Sequence, residues 1–433
     1  MRHNQLNLIA LGSIPLMATL GNSMLIPVLP EIGRELHVGS LRVSMLITVY
    51  AVAAIVLIPF AGYLSDKFGR KAVIVPSLII AIAGAGVSAV GAWLLKDGAA
   101  YWTIIGGRLL QGIGAAGAFP IVIPLVGDLY EDEEAASRGL GVIETYNTFG
   151  KVLSPILGAA LGVLLWYLPL LVIPVLFLIS MLLVLFIIRA PKRKKDSTTI
   201  KEFAVGIKNI LAEKGRWLYA IFAVGCICML IIFGTLFYLS ETLESDYGLH
   251  GILKGLVLAI PLAALCLFSY LGGKAAGKNK KRMKWLSFAG LALMAGSLAV
   301  IGLFRNIYAV TGLFALGGAG IGLVLPCLDA LITKGIGKKE RGTITSIYSS
   351  MRFLGVSLGP PAVSLLLAGG HSLLFGVLAG MGCAAALLML MAVKPKQGDP
   401  ERGDSGDRRK RRSRFPHGSV NAVPGMRRKT SVK

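Results

Sequence analysis

The sequence predicts an all-α polytopic membrane protein with twelve transmembrane helices. Three observations carry that prediction. The 433 residues are 55% hydrophobic, with a mean hydropathy of +0.72. Only 15% are charged, where a soluble domain has about 25%. Apolar runs of about 20 residues, the length that crosses a bilayer, recur along most of the chain. One soluble core does not hide so much apolar surface, and a disordered chain is excluded by the hydrophobicity.

The first runs lie at 6–28, 43–63, 72–95, 102–124, 142–166 and 168–188. After a polar stretch they resume at 217–239, 252–273, 284–304, 307–331, 343–368 and 372–393. Met1-Arg2 and the first run have the look of a signal peptide, but that run is long enough to span and others like it follow. Two sets of six imply two six-helix halves, 1–188 and 217–393. Between them lies a basic linker, 189–216, expected to be cytoplasmic, and after them a basic tail, 394–433, expected to be disordered. The 54 glycines suit close helix packing in lipid. The five cysteines all sit in apolar runs. Cys226 and Cys228 point to opposite sides of a helix, with no His or carboxylate nearby, so no metal site and no disulfide framework is expected.

The net charge of +23 records topology. With the N-terminus inside, 37 of the 45 lysines and arginines fall on the cytoplasmic side and five outside, the bias that orients membrane proteins. Both termini are therefore expected in the cytoplasm. Arg34, Arg42, Lys96, Lys254 and Arg305 are the outer cations, beside an acidic 240–250 loop. Arg108, Lys151 and Arg352 remain inside spans. The tail cations are expected to meet anionic lipid or only to solubilise; nucleic acid is not an expected partner.

Three motifs stand at particular places in the spans. The turn after the second run reads Gly62-Tyr-Leu-Ser-Asp66-Lys67-Phe-Gly69-Arg70-Lys71: a glycine bend with one carboxylate and three cations. The fourth run holds Arg108-Leu-Leu-Gln111-Gly112-Ile-Gly114. An arginine inside a span is costly and a functional hypothesis by default; the alternative is one that snorkels outward to the headgroups. The fifth run holds Gly150-Lys151-Val-Leu-Ser154-Pro155-Ile-Leu-Gly158-Ala159, with a similar Gly355-Val-Ser-Leu-Gly359-Pro360-Pro361 in the eleventh.

These segments resemble motifs A, B and C of the major facilitator superfamily. Motif A matches at every specified position; its counterpart at 272–281 has Ala276 where Asp66 would stand. Motif C, a signature of drug–proton antiporters, departs at Ser154 and Ala159, both small. Within the family the chain looks most like twelve-span bacterial multidrug exporters of Gram-positive type, siderophore exporters included. The resemblance covers 1–393 and is strongest over 60–160. It implies a proton-coupled antiporter of drugs or small metabolites in the bacterial plasma membrane, working by alternating access as a monomer, without a cofactor. Motif A would stabilise the state closed to the cytoplasm, and Arg108 would be linked to proton transfer. The alternatives are a siderophore exporter, a nutrient importer by proton symport, or a non-transporting sensor or scaffold.

Two decoys are set aside. Gly112-Ile-Gly-Ala-Ala-Gly117 fits a dinucleotide loop but lies inside a membrane run, with no preceding strand. Gly272 to Lys278 approaches a phosphate-binding loop, but Asn279 replaces the hydroxyl that binds Mg²⁺, so ATP-driven transport is not expected. No residues form a catalytic centre. The polar groups expected to line a substrate or proton cavity are Asn22, Glu144, Asn147, Lys151 and Arg352. Glu144, Asn147 and Lys151 share a helix face. Glu144 is the expected proton carrier, modulated by Arg108. Lys151 and Arg352, in opposite halves, suggest an anionic or electron-rich substrate such as a catechol siderophore; the alternative for Lys151 is a structural ion pair with Glu144. Asp329 is expected to act as a gate or cap.

Overall fold

The computed structural model describes residues 2–130, 133–188, 215–277, 279–304, 306–336 and 338–393. Among them, all regular structure is helical, as lipid requires of a backbone that must satisfy its own polar groups. Twelve helices are long and apolar enough to cross a bilayer. They are numbered as spans: 1 Gln5–Glu35, 2 Ser40–Phe68, 3 Arg70–Leu94, 4 Asp97–Leu129, 5 Gly139–Leu164, 6 Leu168–Ile187, 7 Arg216–Ser245, 8 Gly251–Ala276, 9 Lys280–Ile301, 10 Ile307–Thr333, 11 Thr343–Leu367 and 12 His371–Ala392. Each apolar run of the sequence falls on one of them. Apart from Gly215 and Arg216, the expected linker and tail lie outside the described residues.

The helices outrun the apolar stretches where polar turns continue them, as span 7 does through Glu241 and Glu244 to Ser245. Two spans are broken. Span 1 is helical over Arg2–Ser23, turns through a 3₁₀ segment at Ile26–Val28 and resumes over Leu29–Glu35. Pro27 and Pro30 each remove a backbone donor there. Span 4 is helical over Asp97–Ala118 and again over Val122–Leu129, with Pro120 at the interruption.

The packing scheme recurs with an offset of six. Span 4 lies against 2 and 3, span 1 against 5 and 6, and span 3 against 6. Likewise span 10 lies against 8 and 9, span 7 against 11 and 12, and span 9 against 12. The two sets of six meet mainly where span 2 packs on 11 and span 5 on 8. Span 6 is the shortest, at 20 residues, and the least enclosed by its neighbours. The face bearing the start of span 1 and the turn between spans 2 and 3 is called the basic face, and the opposite one the far face.

Candidate functional site

The turn between spans 2 and 3 is built on Gly69, whose φ of +100° suits glycine and strains other residues. It lets Arg70 fold back. The Arg70 guanidinium pairs with Asp66 at 2.8 Å and Asp128 at 3.0 Å, and donates to Ser65 Oγ at 2.6 Å. One buried cation thus ties the ends of spans 2, 3 and 4. The neighbouring cations do other things. Lys71 Nζ donates to the carbonyls of Leu185 and Ile188, both at 2.7 Å, at the end of span 6. Lys67 lies over the rings of Tyr63 and Phe68. Gly62 faces Ser346 of span 11. Cations of such a turn can bridge to carboxylates of other loops, such as Asp128 or Glu131; Asp128 does so through Arg70, and Glu131 lies outside the described residues.

Arg108 is completely buried, so it does not snorkel. Its Nε donates to Leu46 O at 3.0 Å, and one terminal nitrogen to Gly21 O at 3.1 Å and Gln111 Oε1 at 2.8 Å. The other donates to Asn22 Oδ1 at 2.5 Å, and the guanidinium stacks 4.5 Å from the Tyr50 ring centre. Every one of these acceptors is neutral, and they belong to spans 1, 2 and 4. Two expectations change as a result. Asn22 is buried as a partner of Arg108. Among the described residues, no bond joins Arg108 to Glu144; the guanidinium turns instead towards spans 1 and 2. Gly112 lets span 4 approach span 2, since a side chain there would meet the Tyr50 carbonyl.

Span 5 supplies the third motif. Gly150 faces Leu16 of span 1, and a Cβ on Gly158 would collide with the Met24 carbonyl, at the break in span 1. Ser154 is buried and donates to Lys151 O at 3.0 Å. Pro155 and Ala159 receive Gly255 of span 8. Small residues on this helix therefore bring it against both sets of six.

Between the two sets lies a cluster of charge. Glu144 and Lys151 of span 5, Asp329 of span 10 and Arg352 of span 11 lie within one another's electrostatic reach. Asn147 Nδ2 donates to both Glu144 oxygens at 3.2 Å and itself accepts from Thr19 at 2.7 Å. Arg352 pairs with Asp329 at 3.8 Å and lies over Tyr348, 5.7 Å from the ring centre. Among the described residues, no hydrogen bond or ion pair reaches the Lys151 ammonium, so the alternative of a Glu144–Lys151 ion pair is not met. The Asp329 side chain, four residues from the end of span 10, is 48% exposed, and that of Arg352, deeper in span 11, is 21% exposed. Asp329 is thus a partner of Arg352.

The far end of the joint is sealed. Arg34 pairs with Glu244, Ser40 donates to Glu241 at 3.1 Å, and Ser240 donates to Ile26 O at 2.9 Å. Ser364 meets Ser40 at 3.3 Å. Lys254 Nζ donates to Glu244 and to Pro27 O, both at 2.7 Å, with both charged side chains almost fully buried. Its position in the sequence puts Lys254 among the outer loop cations. It is buried because Glu244, one turn of chain earlier, neutralises it, and because the break in span 1 exposes a carbonyl to it. An acidic 240–250 stretch followed by one lysine was the available signal.

A family model described as Major Facilitator Superfamily matches residues 11–360 and 299–424. A bacillibactin exporter of Bacillus subtilis is 48% identical over 92% of this chain and 98% of its own length. A class E tetracycline resistance protein of Escherichia coli is 25% identical over 87% and 91%. Multidrug resistance protein 2 of Bacillus subtilis is 24% identical over 81% and 86%. Among solved structures, the human organic anion transporter MFSD10 shares the fold, with a TM-score of 0.69 at 18% identity, over 89% of this chain and 99% of that one.

Proposed function

This chain belongs to the major facilitator superfamily, and from that premise we propose that it exports an anionic siderophore in exchange for protons, by alternating access. It is an efflux transporter that sits in the bilayer as a multi-pass protein and carries a small molecule. The observation that carries the substrate reading is the pair of deep cations. Lys151 comes from the first six spans and Arg352 from the last six, and they sit in one charged cluster, which we read as the lining of a cavity, since a charge inside a span is tolerated only if paired or wet. Bacillibactin or a related catechol siderophore fits them, and the 48%-identical relative is named for that export.

We take the basic face as the cytoplasmic one, with both termini inside, on the bias of positive charge. With the far seal closed, the exposure of Asp329 and Arg352 is towards the cytoplasm, where an exporter loads. Rocking of one set of six against the other would break the seal at Lys254, Glu244 and Arg34 and release substrate outward. The turn that Asp66, Arg70 and Asp128 fix, whose Gly62 faces Ser346 of span 11, would then close the cytoplasmic ends. Glu144 is the proposed proton carrier, with Lys151 and Arg352 as the cations that bear on it.

The test uses purified protein in vesicles with an imposed pH gradient. Accumulation of a catechol siderophore should need the gradient and collapse with an uncoupler. Glu144→Gln should lose most of the gradient dependence while still exchanging substrate; full dependence in that variant would reject Glu144 as the carrier. Uptake driven with the proton gradient, in place of exchange against it, would favour an importer.

A further inference from the structure

We propose that Asp329 is an internal counter-ion which a substrate anion displaces from Arg352, and that it thereby sets the affinity and charge selectivity of the cavity. The inference rests on reading this cavity as an anion site.

Arg108 and Arg352 mark the contrast. Arg108 has its donors engaged by four acceptors at 2.5–3.1 Å. Arg352 has Asp329 at 3.8 Å, well beyond the 2.7–2.9 Å typical of a charge-assisted hydrogen bond. One face of its guanidinium lies on Tyr348. Among the described residues, the planar fork, whose geometry suits two oxygens of a carboxylate or catecholate, has no close bidentate partner. The pair is also partly wet, with Asp329 48% exposed, so its Coulomb attraction is screened and its loss costs little.

The two carboxylates are held differently. Glu144 is clamped by Asn147, which is clamped in turn by Thr19. Asp329 has its backbone carbonyl bonded by Thr333, but the Arg352 pair is its side chain's contact among the described residues. Asp329 is the carboxylate that can swing away. In formal charges the empty cavity is balanced, with Lys151 and Arg352 against Glu144 and Asp329. An arriving anion takes the place of Asp329 on Arg352, and Lys151 offers it a second cation. A neutral or cationic molecule gains nothing from that exchange. The carboxylate therefore penalises anions that fail to hold Arg352 better than it does.

The experiment measures binding to full-length protein in nanodiscs by calorimetry, with protocatechuate as an anionic catechol and its uncharged amide as control. Asp329→Asn should tighten protocatechuate binding about fivefold, the loss of a competitor on the scale of a partly exposed ion pair, and leave amide binding unchanged. Asp329→Ser should do the same, which separates lost charge from a new amide contact. Damage to the fold would weaken binding, so tightening reports displacement. Arg352→Gln should lose protocatechuate binding. If the wild type fails to bind protocatechuate, or Arg352→Gln binds it equally well, the anion site itself is wrong. If Arg352→Gln loses binding while both Asp329 variants bind like the wild type or more weakly, the anion site stands and the displacement proposal is overturned.

Discussion

At Arg108 a full positive charge lies in the dry interior with neutral acceptors around it. Its role in this state is to tie the break in span 1 to spans 2 and 4. Arg108→Met leaves those acceptors without donors, and each lost bond to a charged group is worth about 1.5–3 kcal/mol. The unfolding temperature in detergent should fall clearly, and Arg108→Lys should recover part of it, because an ammonium lacks the fixed fork. An unchanged midpoint would mean that the acceptors find other donors. Asp66 makes a different point. Asp66→Asn removes one of two carboxylates on Arg70 but spares Asp128 and Ser65. The protein should reach the membrane in normal amount and transport several-fold more slowly, as efflux assays beside an immunoblot will register. Wild-type transport would remove Asp66 from the gate. The residue types of this turn are plain in the sequence, and so is the anomaly of Arg108. Its partners are not, because backbone carbonyls have no sequence signature and become available only where three spans converge.

The spans themselves are legible because lipid demands long apolar helices, and every apolar run became one. The interruptions are harder. Pro15, Pro59 and Pro76 all stay within unbroken helices, so proline alone does not announce the break at Pro27. What distinguishes that place is its surroundings: Gly158 receives the Met24 carbonyl, Lys254 the Pro27 carbonyl and Ser240 the Ile26 carbonyl. The break is held by spans 5, 7 and 8. Gly158→Ala should therefore lower thermal stability and slow transport. Gly296→Ala, at a position with open space, should leave stability the same or slightly higher. Equal melting of both variants in detergent would refute close packing at Gly158.

Across the whole molecule, the seal at the far face predicts a trap. Ser40 and Ser364, with oxygens 3.3 Å apart, belong to opposite sets of six. Replacing both with cysteine, in a background lacking the native cysteines, should give a disulfide that halts transport until a reductant is added. Continued transport by the oxidised pair would mean that this contact need not open. The twelve-span frame and the placing of Lys151 and Arg352 in opposite sets were readable from hydropathy and charge. That these two join Asp329 in one charged cluster, while Asn22 is turned to Arg108, depends on helix rotation, which the sequence leaves open.

Span 6 adds a mechanical consequence. Its 20 residues make a helix of about 30 Å, equal to the hydrocarbon thickness of an ordinary bilayer, whereas the other spans are longer. It has no surplus length with which to absorb a thicker membrane by tilting. Its end is fastened by Lys71, whose neighbour Arg70 holds Asp66 and Asp128. Stretch imposed by a thick bilayer is thus delivered to that turn, and hydrophobic mismatch becomes a force on the proposed gate.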